Sequence, residues 1–168
     1  IVSRLLAEHG AAVRDADAVV RRAYLPGRRG AAVVAGLFGD RVLTAAGGRD
    51  HAALAAIVLA DAGARRRLEQ AVHPIVRDEV AAWLAELESL EQPPLIAVVE
   101  AALLVETGAY RDYHRLVAVS ADVRLRRARA LAAGWSAAAF TAVVTAQLED
   151  RDREAAADYV VGNDEGAI

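Results

Sequence analysis

Gln92-Pro93-Pro94 is followed by Leu95-Ile96-Ala97-Val98-Val99-Glu100, a continuous apolar run that ends on a carboxylate. The run has the length of a strand, and the prolines before it disfavour a helix there. An uninterrupted apolar strand suits the middle of a parallel sheet, where both faces are covered. Working outward, Ala11 to Asp17 (AAVRDAD) reads as an earlier short strand ending in two aspartates. If it stays extended to its end, the carboxylates of Asp15 and Asp17 point to the same side of the sheet. His114 to Ser120 (HRLVAVS) reads as a later strand and Asp158 to Val161 (DYVV) as the last. Strands alternating with helical stretches predict an α/β fold with a mainly parallel sheet.

The helices are marked by their ends. Ile1, Val2, Leu5 and Leu6 recur at helical spacing up to His9-Gly10, where glycine can supply a left-handed last residue. Breaks follow at Pro26-Gly27 and Gly47-Gly48, Asp50 stands as N-cap before HAALAAIVLAD, and Asp61-Ala62-Gly63 marks another turn. Proline favours the first position of a helix and disfavours helical geometry in the residue before it. His73-Pro74 therefore predicts a joint, with a new helix over Ile75 to Leu90. Ala121 to Ala133 reads as an arginine-bearing helix, and Ser136 caps another running to about Asp150.

Composition bounds the function. The chain has 168 residues, 55% hydrophobic and 26% charged, which suits one folded domain and argues against disorder. It has no Cys, which excludes disulfides, thiolate zinc sites, iron–sulfur clusters and cysteine nucleophiles. A net charge of −3 gives no global positive field, so nucleic acid is not the expected partner. Every basic residue is Arg. No apolar stretch approaches the roughly 20 residues that span a bilayer, so no membrane partner is expected either. The first residues read as a helix without its cap, as if the chain began inside a longer protein. Oligomeric state is not legible.

Asp15, Asp17, Glu100 and Glu106 all fall at predicted strand ends, or just beyond them. Ligands of open parallel sheets bind at the carboxyl ends of strands, where loops and helix N-termini converge. That coincidence is the first functional signal in the residues themselves.

Several segments, in order and spacing, resemble the dephospho-CoA kinase family of P-loop kinases: VSRLLAEHGAAVRDADAVVR, FGDRVL, GGRDHAALAAIVLAD, RRRLEQAVHPIV, ALLVETG, VSADVRLRR, the AQ at 146 to 147, and ADYVVGNDEG. The resemblance covers essentially the whole chain. It implies a P-loop kinase-like parallel sheet flanked by helices, in a single domain over 1–168. It further implies a helical acceptor-binding lobe over about 25–92 and a lid over about 122–150. The family's first strand and its GxxxxGK[ST] phosphate loop would precede Ile1, so these residues alone are expected to be weakly active or inactive. The implied reaction is transfer of the ATP γ-phosphoryl group to the ribose 3′-hydroxyl of dephospho-CoA, the last step of coenzyme A synthesis, in the cytoplasm. ATP is the implied donor, with Mg2+ held mainly through its phosphates.

The resemblance assigns Asp17 as the catalytic base. It places Asp15, Arg21, His73 and Glu106 at the acceptor, and Arg127 and Asn163 at the nucleotide. Each has a structural competitor. An Asp at a strand end also caps helices, Arg21 could pair with Asp17 one turn earlier, and His73 before proline could serve a helix joint. Glu106 could pair with a neighbouring Arg. The arginines at 124, 126, 127 and 129 could form a solvated face, with Arg129 as the competing lid register. The chain departs from the family pattern at Ala102, where proline is usual, and at Leu131 to Ala133, which lack a second lid arginine. Gly162 stands where Asp commonly precedes the late Asn. A nucleotide- or CoA-binding module without turnover, or another small-molecule nucleotide kinase of the same fold, are the alternative readings.

Overall fold

A computed structural model describes residues 2–164; Ile1, expected in the first helix, and Glu165-Gly166 of the family-like NDEG stretch lie outside the described residues. The described residues divide into two compact units, one running from Ser3 to Ala101 and the other from Ala102 to Asp164 with Val2.

In the first unit, α1 (Val2–Glu8) leads into β1 (Ala12–Asp15), which pairs in parallel with β2 (Ala97–Glu100). The register sets Asp15 opposite Glu100. Between the strands lie α2 (Ala16–Ala23), α3 (Arg29–Phe38), α4 (His51–Ala60) and α5 (Ala62–Glu88). Tyr24, Val34, Phe38, Val42, Leu54, Ala64 and Val72 form the buried core that these helices share. Val34 and Val42 are fully enclosed there, and burying a side chain of that size contributes roughly 1.5–3 kcal/mol relative to exposure. Helices α2 and α3 approach so closely that a Cβ on Gly30 would lie 2.6 Å from the Ala23 carbonyl oxygen, which is why the position holds glycine.

The starts at Asp50 and Ser136 behave as the sequence predicts, and the turn read at Asp61 proves to be a third helix start. Asp50 accepts the Ala53 N–H at 3.0 Å at the head of α4, Asp61 accepts Gly63 N–H at 2.7 Å at the head of α5, and Ser136 accepts Ala139 N–H at 3.1 Å at the head of α7 (Ala137–Ala146). Each satisfies an N–H that the helix itself cannot. The expected break at His73-Pro74 is absent: α5 runs unbroken from Ala62 to Glu88 with Pro74 inside it. Val72 and Ile75 before and after the joint, and Val80 and Trp83 further along, are all buried on one face. That packing outweighs the roughly 3 kcal/mol an interior proline costs a helix.

In the second unit, β3 (Val117–Ser120) pairs in parallel with β4 (Tyr159–Gly162), and α6 (Val123–Ala132), α7 and α8 (Asp150–Ala156) lie between them in sequence. Asp158 fixes the start of this pairing, accepting Leu116 N–H at 2.7 Å while its own N–H donates to Leu116 O at 2.9 Å. The helix expected to run from Ser136 to about Asp150 stops at Ala146, where the backbone becomes extended at Gln147, and α8 from Asp150 onward is a further helix not expected from the sequence.

The α/β class with parallel strands flanked by helices is as the sequence predicts. The covering of β2 is not: Val98 and Val99 are half-buried, Ala97 and Glu100 are exposed, and β2 pairs with β1 alone among the described strands.

Candidate functional site

The carboxyl ends of β1 and β2 bring four charged side chains and one hydroxyl together. Asp15 closes β1 and caps α2: its Oδ1 accepts Ala18 N–H at 3.0 Å and its Oδ2 accepts from Arg21 Nη2, also at 3.0 Å. Capping ends the strand at Asp15, so Asp17 sits in the first turn of α2 and not on the strand. The two carboxylates are thus not related by strand alternation, as an extended AAVRDAD would require. A cap that satisfies an orphan N–H, with Ala16 and Val19 buried behind it, turns the chain two residues early. The ion pair of Arg21 is correspondingly with Asp15, two residues before the Asp17 that helical spacing offered.

The two aspartates differ in their electrostatics. Burial alone would raise Asp15, but N–H donors from Ala18 and Asp17 and the Arg21 guanidinium overcome it and hold the carboxyl below its usual range. Asp17 moves the other way. Loss of solvent around its carboxyl is the largest cause, and the negative charges of Asp15 and Glu100 add to it, with Arg21 opposing. Two neighbouring carboxylates with pKa values driven apart is the arrangement that separates a structural anion from a proton acceptor. Glu100 is held in turn by the Ser3 hydroxyl, which donates to its Oε2. Nothing in the sequence links residues 3 and 100; only the β1–β2 pairing does.

Behind this cluster, Arg14 of β1 lies over the Trp83 ring of α5, 4.8 Å from its centroid, tying strand to helix. His73 is exposed on α5, within the same unit.

The remaining predicted residues are in the second unit. Glu106 lies in the turn after β2; its Oε1 accepts Leu148 N–H at 3.1 Å, while its Oε2 is buried without a donor among the described residues. The arginines of α6 divide by face. Arg126 pairs with Asp150, which also pairs with Arg153, and Arg129 donates to Asn163 O at 2.8 Å. Arg127 is exposed and pairs with no carboxylate among the described residues. The Asn163 backbone is fixed further by its N–H, which donates to Ser120 O at 2.7 Å. The Arg126–Asp150–Arg153 bridge escaped the sequence reading; the Asp150–Arg153 spacing of one helical turn was the available signal.

A family model described as dephospho-CoA kinase matches residues 1–168. The chain is 41% identical over 162 residues to a dephospho-CoA kinase of Frankia casuarinae, covering 96% of this chain and 69% of that protein. It is 37% identical over 164 residues to one of Geobacter sulfurreducens, covering 96% of this chain and 82% of the relative. A crystal structure of a Thermus thermophilus protein superposes with a TM-score of 0.79 at 31% identity, covering 96% of this chain and 80% of the other. A Campylobacter jejuni dephospho-CoA kinase shares the fold, with a TM-score of 0.67 at 20% identity over 97% and 81% of the two chains.

Proposed function

This chain belongs to the dephospho-CoA kinase family, and we propose that Asp17 is the base on which its phosphoryl transfer depends. The protein is a phosphotransferase that uses ATP to phosphorylate the ribose 3′-hydroxyl of dephospho-CoA, the last step of coenzyme A biosynthesis. The bond from the γ-phosphorus to the β–γ bridging oxygen breaks, and its electron pair leaves with ADP. The 3′-oxygen forms the new P–O bond, and its proton passes to the Asp17 carboxylate. Positioning and charge supply most of the acceleration in such transfers.

The observation that supports Asp17 is its separation from Asp15. Both oxygens of Asp15 are committed, to Ala18 and Arg21, whereas Asp17 is the more basic carboxylate. Asp15 then holds Arg21 beside the acceptor, where an exposed guanidinium can meet a phosphate. His73 and Glu106 are the further residues we propose for the acceptor; the Glu106 Oε2 has no donor among the described residues. We assign the acceptor lobe to about 25–92 and the lid to about 122–150 of one kinase-like domain over 1–168. Arg127, exposed on α6 and paired with no carboxylate among the described residues, is the lid contact to the ATP phosphates, and Asn163 is the contact near the adenine.

Mg2+ belongs to the proposal through ATP. The ATP phosphates would hold it, and because such an ion keeps its waters, Asp15 would meet it only through one of them, leaving Asp17 free for the proton. When bound it neutralises phosphate charge. The described residues include no helix long and apolar enough to cross a membrane, and we place the enzyme in the cytoplasm, beside the ATP it consumes.

Asp17→Asn in the full-length enzyme tests the proposal. Turnover should fall about 10²- to 10⁴-fold with KM for both substrates little changed. Because the base works as a carboxylate, kcat/KM should rise with pH through a pKa above the ordinary aspartate range, and this acid limb should vanish in the variant. Unchanged turnover would remove Asp17 from the reaction.

A further inference from the structure

Residues 147–154, the return from α7 into α8, are tied at nearly every polar position. Gln147 Oε1 accepts from Arg153 Nη1 at 3.0 Å, Asp150 bridges Arg126 and Arg153, and Glu154 accepts the Ser120 hydroxyl at the end of β3. Leu148 contributes only its backbone N–H, and that N–H goes to Glu106. The segment carrying Glu106 is itself braced: Thr107 N–H donates to Leu103 O at 3.1 Å, Gly108 N–H to Val105 O at 3.0 Å, and Tyr110 N–H to Leu104 O at 3.2 Å. Leu148 also lines a cavity of about 530 Å³ with Val123 and Arg126 of α6 and Val144 of α7. The bond to Glu106 therefore ties the chain just beyond the α6–α7 hairpin to the Glu106 segment.

We infer that Glu106 is a positioning residue: through Oε1 it latches the Leu148 N–H and so holds the α6–α7 hairpin in the place from which Arg127 reaches the nucleotide. The inference rests on the lid reading proposed above. It divides the work of one carboxylate between its oxygens, Oε1 for the hairpin and Oε2 for the acceptor. The geometry favours this over an ion pair with a neighbouring arginine, because the donor that Glu106 meets is a backbone N–H, 42 residues along the chain. Losing the bond should lower the protection of the Leu148 N–H against exchange about tenfold.

The test uses the full-length enzyme with three substitutions, Glu106→Ala, Glu106→Gln and Glu106→Asp, read by amide hydrogen exchange at Leu148 and by KM for each substrate. Gln keeps an oxygen for Leu148 but loses the second acceptor atom; Asp keeps the charge but withdraws it by one methylene. The Leu148 amide should be protected in the parent and in Glu106→Gln, and should exchange about tenfold faster or more in Glu106→Ala and Glu106→Asp. KM for ATP should rise in those same two variants, whereas Glu106→Gln should raise KM for dephospho-CoA alone. Should Glu106→Ala fail to fold, the Gln and Asp pair carries the comparison. Unchanged Leu148 exchange in the Asp and Ala variants overturns the latch, and faster exchange with unchanged ATP kinetics overturns its positioning role. Arg127→Ala is the separate check on the lid reading: if ATP kinetics ignore it, that reading fails, while the exchange result still judges the latch.

Discussion

The unit from Ser3 to Ala101 and the unit from Ala102 onward hold themselves together by different means. The first owns nearly all the buried apolar side chains, with Val19, Val34 and Val42 fully enclosed; the second contributes Leu116 to that set among the described residues. Val117, Val119, Tyr159, Val160 and Val161 of its two strands are exposed, and its order comes from polar ties: Asp158 to Leu116, Glu154 to Ser120, Asp150 to two arginines, Glu106 to Leu148. A close-packed core is stiff and resists displacement by fractions of an ångström. Partly exposed polar ties are individually weak and can exchange. The contrast matches the chemistry: the proposed proton acceptor sits on the packed frame, and the proposed nucleotide contacts sit on the adjustable one.

Five substitutions would break or sharpen this contrast. The largest effect on stability is expected in the packed unit, where Leu54→Ala should cost about 2–5 kcal/mol, measured by denaturant unfolding. Val161→Ala, a comparable truncation in the other unit, should cost about 1 kcal/mol or less because the side chain is already exposed. Equal losses would erase the distinction. Gly30→Ala comes next. The added methyl meets the Ala23 backbone and should cost roughly 1–3 kcal/mol, with Tm falling while the acid limb of kcat/KM stays in place.

Asp15→Ala should cost about 1 kcal/mol through the lost cap. Its pKa is depressed on folding, so the stabilisation is present above the unfolded value of 3.8 and fades as pH falls through the lower folded value. Parent and variant should therefore converge in acid unfolding curves, whereas a gap that widens toward low pH would contradict the assignment. Because the Asp15 side chain is about half exposed, solvent screens its charge and the cap should dominate the loss. The smallest effect is expected at Asp150→Asn, a few tenths of a kcal/mol or so, declining as salt is added because the lost attraction is screened. An effect in the Asp150 variant that ignores salt would point to packing as the source of order there as well.

Much of this architecture was legible in one dimension. The runs at 95–100, 11–17, 114–120 and 158–161 each contain or overlap a strand, with bounds within three residues, and the caps at Asp50 and Ser136 stand where helices begin. Asp15 and Glu100 stood out as strand-end carboxylates before their pairing was known. Less legible were the partners. Helical spacing offered Asp17 to Arg21, but the cap placed Asp15 nearer. The arginines of α6 looked alike in sequence, and only the fold set Arg126 and Arg129 against other groups while leaving Arg127 exposed.

What the sequence determined alone is what depends on a few adjacent residues: where a strand can run, where a helix can begin, and the order of segments by which the family is known. Such choices rest on backbone hydrogen bonds and side-chain shape over one or two turns. The tertiary structure decided the rest. It carried α5 through Pro74 because burial on both sides outweighed a local penalty. It started α2 at Ala16 because a capped helix with a buried face was more stable than two further residues of strand. It joined Ser3 to Glu100 and Glu106 to Leu148, contacts that no local rule could choose, because their energy is gained only after the intervening chain has folded.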